Sequence, residues 1–219
     1  MIVIPSLGCR DENCVRSRKK ILESFDPKWV HIDVADGKFA PVVLWGVAEE
    51  FRDMFFGESD TMVKMNMEAH IMADNPMFLV EEWIAAGAER ITAHLEAVRT
   101  LENLRELETV CGARNVELGI AVMAETPNDM IEEFCDNVKF WSVLAVRPGL
   151  PGGEFKKEAL DKIVFLRERA PESVIEVDGG INEETGKSAK DAGADILVSC
   201  AFIFNSVNPE AAYKTLLDI

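Results

Sequence analysis

Two histidines and two aspartates stand where they could hold one divalent cation. His31 and Asp33 are two residues apart in a β-branched run, and in a strand residues i and i+2 share a face. Both therefore project to one side, with Val30, Ile32 and Val34 on the other. His70 closes a second run, with Glu68 below it on the same face, and Asp178 ends a third, just ahead of Gly179-Gly180. Two imidazoles and two carboxylates suit Zn²⁺, Fe²⁺ or Mn²⁺. Each residue also has a plainer reading. A lone His-x-Asp is usually a hydrogen-bonded structural pair, His70 a satisfied interior histidine, and Asp178 a turn former. What favours a metal is that all three histidines, His31, His70 and His94, fall at strand ends.

The glycines give a second clue. Gly152-Gly153 and Gly179-Gly180 each follow a strand and run into a helical segment. Exposed backbone N–H groups beside a helix start make a phosphate site. Taken singly, each pair is weak evidence, because turns use glycine anyway.

The elements that must position these groups alternate. Strands are expected at residues 2–5, 29–33, 62–70, 90–94, 116–122, 140–146, 174–177 and 196–199. Helices are expected at 11–24, 47–55, 76–86, 100–111, 156–170, 182–192 and 209–217, with one more opened by Thr126-Pro127. Asn75 and Thr126 read as N-caps. Gly87, Gly112 and Gly193, each between a helix and a strand, read as C-terminal caps. Eight strands and eight helices in 219 residues predict an α/β fold, a (β/α)₈ TIM barrel, as one domain over residues 1–219. A doubly wound sheet would usually carry Gly-x-Gly-x-x-Gly after its first strand, and none is present. In a barrel, chemistry sits at the C-terminal strand ends, where the histidines and aspartates lie.

Composition narrows the partners. The chain is 48% hydrophobic with a formal charge of −16, which excludes a disordered acidic chain and disfavours nucleic acid or an anionic membrane. The apolar runs at 140–146 and 196–204 are far shorter than the ~20 residues that span a bilayer. Residues 1–5 lack the basic start of a signal peptide, so the expected location is cytoplasmic. Five cysteines without a Cys-x-x-Cys pair are expected to be reduced thiols.

Several stretches resemble the ribulose-phosphate 3-epimerases. They are Ile4-Pro5-Ser6-Leu7, the run from His31 through Asp36-Gly37 to Pro41, Ala69-His70-Ile71-Met72, His94-Leu95-Glu96, Arg147-Pro148-Gly149 and Ile175 through Asp178 to Gly180. The resemblance implies a ribulose-phosphate-binding TIM barrel with one divalent metal ion (Zn, Fe or Mn) per subunit, held by His31, Asp33, His70 and Asp178. It also implies that Asp33 and Asp178 are the acid/base pair and that Ser6 contacts substrate. His70, Met72, Gly149, Gly152, Gly153, Gly179, Gly180, Cys200 and Ala201 complete the implied substrate-binding set. A homo-oligomer acting on a small ketose phosphate in the pentose phosphate pathway is implied as well. The chain departs from the family at Ala35 and Leu144, where methionines are usual, and at Lys38, where histidine is. Pro151 replaces a phosphate-loop glycine, and Cys200-Ala201 replaces Gly-Ser.

Epimerising a carbon beside a ketone needs a proton taken from one face and another returned to the opposite face. Two carboxyl groups flanking the substrate can do this, and a metal can stabilise the enediolate between the two steps. Glu68 and Glu96 would orient His70 or its neighbours, or else be buried solvated carboxylates. Arg147, Lys156 and Lys38 are the basic residues expected near the phosphate loops. The expected reaction interconverts ribulose 5-phosphate and xylulose 5-phosphate. The alternatives are a six-carbon substrate such as allulose 6-phosphate and a barrel that binds a sugar phosphate without turnover.

Overall fold

β-Branched runs alternate with amphipathic helices along the whole chain, and the computed structural model folds them into one closed sheet. It describes residues 1–56, 65–149 and 152–219. The elements are β1 (Ile2–Pro5), α1 (Glu12–Leu22), β2 (Trp29–Ala35), α2 (Ala48–Phe56), β3 (Asn66–Met72), α3 (Met77–Ala85), β4 (Arg90–His94), α4 (Leu95–Val98) and α5 (Leu101–Gly112). They continue with β5 (Glu117–Met123), α6 (Asn128–Glu132), β6 (Phe140–Leu144), α7 (Glu158–Arg169), β7 (Val174–Asp178), α8 (Glu183–Ala192), β8 (Ile196–Ser199), α9 (Ala201–Phe204) and α10 (Pro209–Leu217).

Every ladder is parallel, in the order β1-β8-β7-β6-β5-β4-β3-β2. The ring closes between β1 and β2 through a single bridge, Ser6 to His31, where Leu7 N–H donates to the His31 carbonyl at 2.8 Å. This is the predicted (β/α)₈ barrel, with two short helices, α4 and α9, added after β4 and β8. β2 and β3 run further than expected, to Ala35 and Met72, and the expected start of the third strand at 62–64 lies outside the described residues.

Outward-facing strand residues such as Ile32, Ile71, Ile91, Val143 and Val177 pack against the helices in the main core. Each large apolar side chain so removed from water contributes about 1.5–3 kcal/mol. Inside the barrel, Ile4, Phe140, Ile196 and Val198 form a small apolar floor. Gly119 makes room for it, because a Cβ there would sit 2.6 Å from the Phe140 ring. Above that floor the interior turns polar, with His31, Glu68, Thr92, Ser142 and Glu176 wholly buried.

Several local expectations are corrected. Asn75 does not cap α3; Pro76 takes the N-cap position without a side-chain bond. Thr126 does not cap α6 either, since Pro127 stands at that N-cap and the Thr126 hydroxyl donates to Glu96. Gly87 and Gly193 adopt the positive φ of a C-terminal cap (98° and 114°), whereas Gly112 remains in α5 and Asn115 takes the left-handed position at φ 56°. The five cysteines are not all reduced thiols. Cys9, after β1, is disulfide-bonded to Cys14 in the first turn of α1, while Cys111, Cys135 and Cys200 are free. The Asp11 side chain caps α1 by accepting the Cys14 N–H, and this first turn brings the two Cα atoms within 5.8 Å.

Candidate active site

The register of β2 against β3 pairs His31 with Glu68 and Asp33 with His70. Their inward side chains stack in two steps toward the C-terminal mouth, and β7 brings Asp178 from across the barrel. His31 Nε2 lies 3.3 Å from Asp33 Oδ1 and 3.7 Å from Asp178 Oδ2. His70 Nδ1 lies 3.4 Å and 3.3 Å from the same two oxygens. One ligand atom from each of the four residues falls within 4.8 Å of all the others. Both imidazoles are wholly buried.

Hydrogen bonds behind the imidazoles assign their tautomers. His31 Nδ1–H donates to Glu68 Oε1 at 2.5 Å, leaving the Nε2 lone pair facing the cluster. His94 Nδ1–H donates to Glu96 Oε2 at 3.0 Å, so His94 Nε2 accepts from His70 Nε2–H at 2.9 Å. In that neutral tautomer His70 Nδ1 faces Asp33 and Asp178 as a buried lone pair that neither carboxylate can meet, so a proton or a cation must occupy it. Buried polar atoms without partners are rare, and a cation between the two carboxylates would satisfy this one. The donor set thus fits a divalent metal. Glu68 orients His31, not His70, and Glu96 acts on His70 through His94. The other Glu96 oxygen accepts from Met123 N–H at 3.0 Å and from the Thr126 hydroxyl.

The same groups shift one another's protonation when no metal neutralises them. Burial raises the pKa of Asp33, but the adjacent His31 and His70 outweigh it and hold this carboxyl well below the usual range. Burial likewise raises Glu68, and His31 and Arg90 bring it down to about 2. Burial lowers His70, and the carboxylates of Asp178 and Asp33 outweigh that and raise it to about 9. A raised histidine favours the folded state while it is charged. In metal-free protein the His70 contribution is therefore complete below the unfolded value near 6.5 and lost as pH rises through about 9. The melting temperature of metal-free protein should fall across that window. A flat profile between pH ~6.5 and ~9 would show that His70 is not held charged by the aspartates.

Above the cluster opens a cavity of about 290 Å³ whose lining includes Ser6, Asp33, Met72, Leu144, Gly149, Gly152, Gly153, Asp178, Gly179, Gly180, Cys200 and Ala201. The expected substrate-binding residues thus share one cavity, except His70, which lies buried in the cluster with Asp33 and Asp178. The Ser6 hydroxyl donates to Asp33 Oδ2 at 2.8 Å. The glycines after β7 are required by space as well as by φ. A Cβ on Gly179 (φ 96°) would meet Val146 Cγ2 at 2.4 Å, and one on Gly180 (φ 67°) would meet Phe155 Cα at 2.8 Å. Pro151 lies outside the described residues.

Two arginines stand near the site without a sequence signal that places them there. Arg18 reaches from α1 to the β8 loop, where Nη1 donates to the Leu7 carbonyl at 3.1 Å and contacts Cys200 Sγ at 2.9 Å. In the sequence it is one of several bases on an amphipathic helix, with nothing to set it apart. Lys156, expected at the phosphate loops, is paired with Glu125. Arg90 opens β4 and points into the barrel, where a charged residue at a strand start would ordinarily be read as solvent-facing.

A closed parallel barrel with a polar interior and convergent ligands at its C-terminal mouth defines a (β/α)₈ barrel of the enzyme kind. The family model described as the ribulose-phosphate 3 epimerase family matches residues 2–204, and the chain belongs to that family. It is 30% identical over 223 residues to the ribulose-phosphate 3-epimerase of Chlamydia muridarum (strain MoPn / Nigg), covering 99% of this chain and 94% of that one. It is 32% identical over 193 residues to the ribulose-phosphate 3-epimerase, cytoplasmic isoform, of Oryza sativa subsp. japonica, covering 86% and 80% respectively. Among solved structures, KGPDC from Streptococcus mutans shares the fold, with a TM-score of 0.70, 14% identity and coverage of 99% of this chain and 95% of that one.

Proposed function

We propose that the chain, acting as one barrel domain over residues 1–219, is a metal-dependent epimerase interconverting D-ribulose 5-phosphate and D-xylulose 5-phosphate. The observation that carries this reading is the placement of Asp33 and Asp178. They come from strands on opposite sides of the mouth, both face the cavity, and they converge on the same two imidazole nitrogens.

His31 Nε2, His70 Nδ1, Asp33 Oδ1 and Asp178 Oδ2 would hold the ion, which is Zn²⁺, Fe²⁺ or Mn²⁺ by donor type. When bound, it supplies positive charge to stabilise the oxyanion that develops as the proton leaves the third carbon. One aspartate, ionised, takes that proton. The other, protonated, delivers a proton to the opposite face, and the roles exchange in the reverse direction. The Ser6 hydroxyl holds Asp33 Oδ2 toward the cavity. Backbone N–H groups at Gly152, Gly153, Gly179, Gly180 and Cys200-Ala201 receive the phosphate, in loops whose conformation admits close approach. Met72 and Leu144 give the reacting carbons an apolar wall.

The test combines metal analysis of purified protein with ribulose 5-phosphate turnover in deuterated water. Deuterium at the third carbon together with xylulose 5-phosphate is the expected result. Binding without exchange would make the chain a non-catalytic sugar-phosphate barrel, and faster turnover of allulose 6-phosphate would make it a six-carbon epimerase. A cytoplasmic location, supported by the rice relative named as a cytoplasmic isoform, and a homo-oligomeric state complete the reading. Cell fractionation and size-exclusion chromatography test it.

A further inference from the structure

Beneath the site, the barrel interior holds a charge that the reaction itself does not use. The Arg90 guanidinium lies between two rings, 4.3 Å from the centroid of Trp29 and 4.0 Å from that of Phe140. Its Nη1 donates to Glu68 Oε2 at 2.6 Å, and its Nε donates to Glu117 Oε2 at 2.7 Å. The other Glu68 oxygen is the acceptor for His31 Nδ1–H at 2.5 Å. A continuous path of bonds thus runs from Glu117, at the base of β5, through Arg90 and Glu68 to an imidazole of the candidate metal cluster.

We propose that Arg90 is a positioning residue. By fixing one oxygen of Glu68 it aims the other at His31 Nδ1, so that the imidazole presents Nε2 to the metal. The inference rests on the metal reading of this site. Stability alone does not explain a buried arginine here. The surrounding floor is apolar, and replacing a buried ion pair with hydrophobic side chains of similar volume is often neutral or stabilising. There is, however, a choice of partner to be made. Ligand atoms of His31, Glu68 and Glu176 all lie within 4.8 Å of one another, so two carboxylates compete for one imidazole. Ser142 donates to Glu176 Oε1 at 2.8 Å and leaves Oε2 without a partner. Arg90 hydrogen-bonds Glu68 and thereby settles which carboxylate His31 meets. A guanidinium bonded to Glu68 also opposes a second cation in this inner triad.

The experiment titrates metal-stripped protein with Co²⁺ against a competing chelator, recording stoichiometry, the visible Co²⁺ spectrum and the melting temperature of the metal-free form. Wild type should bind one Co²⁺ per chain. Arg90→Met and Glu68→Gln should each weaken binding about 10–100-fold, the range for losing an outer partner of a metal-bound histidine, and each should alter the Co²⁺ spectrum. Arg90→Lys should restore part of the loss. Arg90→Met should add no more than about twofold when made on Glu68→Gln, because both changes break one path. That double variant leaves neither Glu68 nor Arg90 charged, so the comparison survives even if Arg90→Met alone does not fold. Unchanged Co²⁺ affinity in Arg90→Met beside a lowered melting temperature would make Arg90 merely structural and overturn the proposal. So would a further tenfold loss in the double variant, or two Co²⁺ per wild-type chain. Wild type that binds no Co²⁺ would remove the metal reading itself.

Discussion

Replacing Asp178 with Asn should lower kcat for net epimerisation by about 10²–10⁴-fold, the usual contribution of a positioned acid or base. Asn fills the same space and keeps an oxygen toward His31 and His70, but it can neither hold nor release the proton. KM should change little, since the phosphate contacts assigned to the glycine loops are untouched. The two sides of the barrel make a sharper expectation possible. With Asp178 disabled, Asp33 still reaches one face of the carbon, so solvent exchange at the third carbon should persist for one epimer while conversion to the other is lost. Asp33→Asn should show the mirror pattern, with the charged acceptor of the Ser6 hydroxyl replaced by a neutral amide. Metal content must be measured in the same samples, because both aspartates belong to the candidate ligand set. A metal-loaded Asp178→Asn that epimerises at the wild-type rate would remove the two-carboxylate scheme.

The parts of this site legible in the sequence are those governed by short-range geometry. The spacing of two between His31 and Asp33 dictates a shared face in any strand, and strand–helix alternation puts strand ends at one mouth. Interior partnerships were not legible, because they depend on register between strands distant in the chain. Glu68 is two residues from His70, yet it serves His31, since β2 and β3 pair those two directly. Arg90 is inward only because β4 enters the barrel there, and its partners Glu68 and Glu117 come from the neighbouring strands. Thr126 reads as a helix cap because its sequence neighbour is proline, but Glu96 in α4 accepts its hydroxyl. Cys9 and Cys14 fell outside the spacing rules for cysteine motifs, although a single helical turn brings them together.

His70→Ala should strip the metal at concentrations that saturate wild type and should leave the barrel folded. One of four donor atoms is lost, so affinity should fall by more than the 10–100-fold that an outer partner alone commands. Activity should fall with occupancy. The change also removes the donor that His94 Nε2 accepts, leaving that nitrogen buried without a partner, at a cost of about 1–3 kcal/mol. A domain stable by roughly 5–15 kcal/mol tolerates this. A second readout separates loss of a ligand from general damage. In metal-free wild type, charged His70 between Asp33 and Asp178 stabilises the fold below its pKa of about 9. The variant lacks that group, so its melting temperature should lie furthest below wild type near pH ~6 and approach it near pH ~9. Damage to packing alone would lower the melting temperature by a similar amount at every pH. Full metal occupancy in His70→Ala, with a pH-independent deficit in stability, would take His70 out of the ligand set.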